Sequence, residues 1–186
     1  MSRLYRTTRR APDVERCELC AVALPARHDH LFDARAHRIR CTCVPCVVIV
    51  SSTEASGFRR VPRRFDRLEI DPTVWLARFG IPVGVAAVLR HDDGRAVVAF
   101  PGPAGLVEAD VDEPLWTALR EVAPEPLPEI EALVWSSLDG GGAWLTGIDV
   151  VYEMIAAVRE NWRGMTGGPE APRAIARVLA EHGVLA

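Results

Sequence analysis

The chain contains no lysine: all 22 of its basic residues are arginine. Such a set suits planar, bidentate contacts with phosphate or carboxylate groups. The arginines are scattered through every segment, however, and a coding bias toward arginine codons accounts for them more simply. Long apolar runs are lacking as well. The longest, Ile81 to Leu89 and Cys46 to Val50, fall far short of the ~20 residues that a membrane-spanning helix requires. No apolar segment and no small-residue cleavage site follow the Arg9-Arg10 pair, so an export signal is not expected. Together these absences predict a cytoplasmic protein without membrane insertion. Catalytic signatures are missing too: there is no G-x-S-x-G, no G-x-x-x-x-G-K, and no G-x-G-x-x-G after a strand. The expectation is therefore a protein that is not an enzyme.

What is present divides unevenly. A chain of 186 residues, 49% hydrophobic, has room for a small module plus one domain of about 100 to 130 residues. Residues 1 to 70 hold 14 arginines against 8 acidic residues, a balance of +6, whereas the remainder has a balance of -9. Residues 1–13 are polar and arginine-rich without a period, which predicts a flexible tail. A metal module is expected over 14–57, ending in the linker-like 51–57, and a second domain over 58–186.

All five cysteines fall between positions 17 and 46, as Cys17-x-x-Cys20 and Cys41-x-Cys43-x-x-Cys46. In a reducing compartment clustered thiols are metal ligands or redox groups before they are disulfides. Two C-x-x-C pairs separated by 22 residues come close to zinc-ribbon spacing. The segments His30 to Asp33 and His37 to Cys41 predict a hairpin that draws the pairs together. So small an apolar core cannot offset chain entropy alone, and a structural metal can. The expected ligands are Cys17, Cys20, Cys43 and Cys46, which leaves Cys41 as a packed or alternative ligand. His28, His30 and His37 could replace a thiolate, although exposed hairpin histidines are the plainer reading. Zinc is favoured over a single iron ion. A rubredoxin-type iron site follows each pair with glycine and packs against aromatic residues, but here Ala21 and Val47 follow the pairs and Phe32 is the only aromatic residue between 11 and 50.

Beyond the cysteines, Asp71-Pro72 opens a short helix that stops at Gly80. Val83 to Leu89 and Ala96 to Phe100 form a hairpin around Asp93-Gly94, and the first of these strands is apolar on both faces. Leu106 to Val111 adds a strand, and Asp112 caps a helix. Ile130 to Trp135 and Ala143 to Ile148 form a second hairpin, turning at Asp139 to Gly142. Asp149 is expected to cap a long helix ended by Gly164, and a last helix begins near Pro169. Hairpins without crossovers predict an α+β fold: a small zinc-ribbon (rubredoxin-like) module, then an antiparallel sheet packed with three to four helices.

Other candidates are fewer. Arg59, Arg60, Arg63 and Arg64, with Arg6, Arg9, Arg10 and Arg67, could contact phosphates, so a zinc-ribbon nucleic-acid-binding regulator is one alternative. A solvated basic face is preferred, because no aromatic stripe accompanies the arginines. Trp162, Arg163 and Gly164, ahead of Gly167 and Gly168, could form an anion or partner contact, with a helix stop as the ordinary explanation. His91-Asp92-Asp93 falls at a turn where such residues are solvated.

The combination of Glu15-Arg16-Cys17-Glu18-Leu19-Cys20, the Cys41–Cys46 cluster, Phe58-Arg59-Arg60-Val61-Pro62, Gly80-Ile81-Pro82-Val83-Gly84, Phe100-Pro101-x-Pro103-Ala104-Gly105 and Trp162-Arg163-Gly164 resembles an uncharacterised bacterial family. Its members are encoded beside uptake nickel-iron hydrogenases, mainly in actinobacteria. The architecture is also similar to a rubredoxin-like module joined to a hydrogenase assembly chaperone domain. The resemblance implies a metal-binding accessory or maturation role with a hydrogenase subunit as protein partner. It carries over no catalytic residue. The departures at Ala21, Val44 and Val47 weigh against the remaining alternative, a rubredoxin-like electron carrier.

Overall fold

The computed structural model describes residues 14–52, 56–81, 83–102, 105–138, 141–163 and 168–183. The expected tail, Arg6, Arg9, Arg10, Gly164, Gly167 and the Asp139-Gly140 part of the second hairpin's turn lie outside the described residues. The chain is α+β and divides into two compact units between Phe58 and Arg59.

The first unit is built on an antiparallel hairpin of β1 (Asp29–Asp33) and β2 (Arg38–Thr42). Asp33 closes its turn. One carboxylate oxygen accepts from the backbone N–H groups of Arg35 and Ala36, and the other accepts from Arg40 Nε and Nη2 at 3.1 and 2.7 Å. The Arg40 guanidinium accordingly holds the Asp33 carboxyl below the usual carboxylate range. Leu31, Phe32 and Val47 are buried in a core of very few apolar side chains. The helix α1 (Val44–Ser51) follows, and strand β3 (Phe58–Arg60) adds to β1 where the chain passes out of the unit.

The second unit is a six-stranded antiparallel sheet in the order β4-β9-β8-β5-β6-β7. Its strands are β4 (Phe65–Leu68), β5 (Val85–Arg90), β6 (Ala96–Gly102), β7 (Gly105–Asp110), β8 (Glu131–Ser136) and β9 (Gly142–Gly147). Successive side chains point to opposite faces of a strand. The register pairs Ala86 with Trp135, and Val88 with both Leu133 and Val98, which gathers these residues on one face. There they form a core with Trp75 and Leu76 of α2 (Pro72–Arg78) and with Trp116 and Leu119 of α3 (Glu113–Arg120). On the other face Val85, Ala87 and Ala99 meet Val151, Met154 and Val158 of α4 (Ile148–Asn161) and Ile175 of α5 (Glu170–Gly183). Helices thus cover both faces, which explains why β5 is apolar from Val85 to Leu89 and β8 from Ala132 to Trp135.

The caps of α2 and α3 are those the sequence predicts: Asp71 accepts from Thr73 N–H and Asp112 from Leu115 N–H, each at 2.8 Å. The start of α4 differs. Its N-cap is Gly147, with no side-chain cap, and Asp149 sits in the first turn. Strand β9 passes straight into the helix so close to other backbone that a Cβ on Gly147 would lie 2.5 Å from the Pro62 carbonyl oxygen. An aspartate cannot occupy that position, and the cap falls to glycine. The helix ends at Trp162, before Gly164.

Among the described residues, no helix is long and apolar enough to cross a membrane.

Candidate metal centre

The first cysteine pair lies in a tight turn. Cys17 N–H donates to Val22 C=O and Ala21 N–H to Cys17 C=O, both at 2.8 Å, while an isolated bridge joins Arg16 to Ala23. Ala21 closes the turn at φ +61°, a left-handed conformation that glycine adopts at lower cost. Ala21→Gly is therefore expected to raise stability by about 0.5 to 1 kcal/mol. The measurement is the denaturation midpoint of the metal-loaded chain; an unchanged or lower midpoint would contradict the expectation.

The turn is tied to the hairpin. Glu18 N–H donates to Cys41 C=O at 2.9 Å, and Cys41 N–H returns a bond to Glu18 Oε1 at 3.0 Å. Strand β2 therefore runs alongside the first pair and delivers Cys43 to it. Cys43 is the N-cap of α1, Pro45 stands in the first turn, and Cys46 follows within the same turn. No acidic residue occupies that turn, so cysteine sulfur is what meets the positive end of the helix. The two pairs thus use different devices, a loop turn for one and a helix start for the other.

The sulfurs of Cys17, Cys20, Cys43 and Cys46 all lie within 4.8 Å of one another. Cys20 and Cys43 are 3.6 Å apart, too far for a disulfide, and all five cysteines are free. Four thiolates bound tetrahedrally at zinc's usual sulfur distance stand about 3.8 Å from one another. The group therefore has the size and donor chemistry to hold one such ion.

The electrostatics of Cys17, Cys20 and Cys46 favour a cation. Burial works to raise the Cys17 thiol, but backbone hydrogen bonds from Cys43, Leu19 and Cys20 outweigh it and bring the pKa down to about 6. Cys46 is pushed up to about 12, chiefly by its contacts with the Cys43 and Cys20 sulfurs. At Cys20 a backbone hydrogen bond at Val22 favours the thiolate, but neighbouring Cys17 and Cys43 raise the pKa overall. One negative sulfur is welcome in this cluster and four are not unless a positive ion sits among them.

Cys41 stands outside the four. Burial, followed by Glu15, pushes its thiol up to about 12, and Sγ lies 3.2 Å from Glu15 Oε1. A thiol held neutral in this way is a poor nucleophile. Of the three histidines, His37 sits at the hairpin turn against Phe32, whereas His28 and His30 lie beside Cys41. Sequence reading missed that grouping. Its available signal was the spacing His28-x-His30, which puts both rings on one side of an extended segment.

The remaining candidates belong to the second unit. Arg59 makes a bidentate pair with Asp92, and Arg64 bonds to Asp66 and to the buried Glu131. Arg60 and Arg63 also have partners. Several of the charges proposed for phosphate are thus already paired with carboxylates or other groups. His91 is held by Glu129 at 3.0 Å, and Asp93 caps its own turn at Arg95 N–H. Arg163 folds back to donate to Trp162 C=O at 2.9 Å.

The model of one family, described as a family of unknown function (DUF5947), matches residues 16–183. No curated protein and no solved structure matches the chain.

Proposed function

We propose, on the premise that the chain belongs to the DUF5947 family, that it is a metal-binding accessory protein rather than an enzyme. Its amino-terminal unit would hold one zinc ion on Cys17, Cys20, Cys43 and Cys46, and the chain would act by docking to another protein. The observation that carries this reading is the convergence of the four sulfurs within 4.8 Å. The ion, when bound, supplies a structural cross-link between the first turn and the start of α1. Zinc is preferred to iron because Ala21 and Val47, and not glycine, follow the two cysteine pairs. A colourless preparation is expected, and a red one with equimolar iron would overturn the choice.

Docking is supported by apolar side chains left exposed near these cysteines. Leu19 and Val22 flank the first turn, and Val44, Val48 and Ile49 lie along α1, with Ile49 67% exposed. Side chains of this kind on a short helix favour a protein partner over a polar ligand. The resemblance in sequence makes that partner a nickel-iron hydrogenase subunit and the role assembly or maturation.

The test is deletion of the gene in a host that makes such a hydrogenase, together with co-purification of the tagged protein. Loss of subunit processing is expected, as is co-purification of a hydrogenase subunit that Val48→Asp with Ile49→Asp abolishes without loss of metal. Unchanged hydrogenase activity after deletion would contradict the role.

A further inference from the structure

We infer that the amino-terminal unit has a second transition-metal site, formed by His28, His30 and Cys41 with the Glu15 carboxylate beside it. It shares no ligand with the four-cysteine group and does not depend on the identity of any partner.

The geometry begins with the hairpin register. His30 of β1 lies directly opposite Cys41 of β2, so the two side chains share a face. His28 is two residues before His30 and falls on that face as well. A ring nitrogen from each histidine and the Cys41 sulfur lie within 4.8 Å of one another, and the rings meet edge to face with centroids 4.7 Å apart. Glu15 reaches the cluster from the strand-like segment before Cys17. Its Oε1 is 3.2 Å from Cys41 Sγ and its Oε2 is 3.9 Å from His28 Nδ1.

A second observation, separate from this proximity, points to a ligand. The His28 side chain is only 7% exposed, and its Nε2 is buried without a hydrogen-bond partner among the described residues. Its Nδ1 lies 3.1 Å from the Pro25 carbonyl oxygen. A carbonyl can only accept, so Nδ1 carries the proton and the Nε2 lone pair is left unsatisfied. A buried unpaired nitrogen is costly. An imidazole held by a backbone carbonyl through one nitrogen and free at the other is also how metal-binding histidines are oriented. A cation is the partner that this nitrogen lacks.

Two imidazoles and a thiolate, with water in a fourth position, suit a borderline divalent ion such as zinc or cobalt(II). Binding would release the Cys41 thiol proton to solvent and leave Cys41 as a thiolate ligand. Glu15 is 55% exposed at its side chain, so the site is open to solvent on that side. We therefore expect it to exchange metal more readily than the all-sulfur group.

The test uses the full chain, stripped of metal and titrated with cobalt(II) under reducing conditions. Two equivalents are expected to bind in succession, the first giving the absorption of a four-thiolate site and the second adding a distinct set of bands. His28→Gln and His30→Ala should each bind one equivalent, with the first set of bands unchanged. Cys43→Ser, which unfolds the unit, should remove both sets. One equivalent in the unmodified chain, lost with Cys43→Ser and insensitive to His28→Gln, would refute the second site and leave the four-cysteine reading standing. Failure to produce four-thiolate bands at all would instead refute that reading. Two equivalents retained in both histidine variants, or loss of both sets of bands in both, would equally overturn the inference.

Discussion

Cys43→Ser is expected to unfold the amino-terminal unit and leave the six-stranded sheet intact. The unit has few buried apolar side chains: Cys17, Leu24, Leu31, Phe32 and Val47 are the principal ones. A core of that size cannot meet the entropy of ordering the segment. Structural zinc in small domains supplies on the order of 10 kcal/mol of apparent binding free energy, which then becomes folding free energy. Cys43 is both a prospective ligand and the N-cap of α1, so its loss should release the helix and open the junction between the cysteine pairs. In an amide correlation spectrum the dispersed signals of Leu31, Phe32 and Val47 should collapse, while those of β5 and β8 remain. A strong chelator should have the same effect on the unmodified chain. Retention of all signals after either treatment would show that the unit folds without metal.

The second large effect belongs to the other unit. Trp135→Ala is expected to cost about 4 kcal/mol, the range for removing a buried aromatic side chain from a packed core. Trp135 is completely buried on β8, between strands on both sides. Its ring lies 6.4 Å from that of Trp75 and 5.6 Å from that of Phe79, so truncation leaves a cavity lined by rigid groups that close only partly. Trp135 Nε1 has no hydrogen-bond partner among the described residues. Trp135→Phe removes that unpaired N–H along with part of the volume, and it should cost less than half as much as the alanine change. Denaturant unfolding followed by far-ultraviolet dichroism measures both. A cost below about 1 kcal/mol for alanine would contradict the packing described.

Where local chemistry decides structure, the sequence is readable. Asp71 and Asp112 cap helices because an aspartate before a proline-containing first turn has few better uses, and the hairpins of the large sheet follow from alternating apolar residues around turn residues. The legibility fails where a tertiary neighbour decides. Helix α1 is rich in β-branched valine and isoleucine, which favour strands, and it is helical where the hairpin delivers Cys43 and Cys46. Strands β3 and β4 lie within a stretch that looks like a solvated basic face. Phe65-Asp66-Arg67-Leu68 pairs with β9 and, among the described residues, forms an edge of the sheet, where charged residues are ordinary. The start of α4 moved from Asp149 to Gly147 because of backbone packed against it from outside the helix.

The cysteine centre divides the same way. Equal two-residue gaps pick out four of five cysteines, and these are the four whose sulfurs converge. That the second pair sits on a helix start, and that Cys41 keeps company with His28 and His30, depends on the β1–β2 register. Spacing along the chain does not contain it.

X-ray absorption at the zinc edge, on the purified full chain brought to one equivalent of bound metal, tests the central claim most directly. We predict zinc surrounded by four sulfur neighbours at about 2.3 Å. A first shell dominated by nitrogen or oxygen, or a chain that binds no metal when reduced, would contradict it.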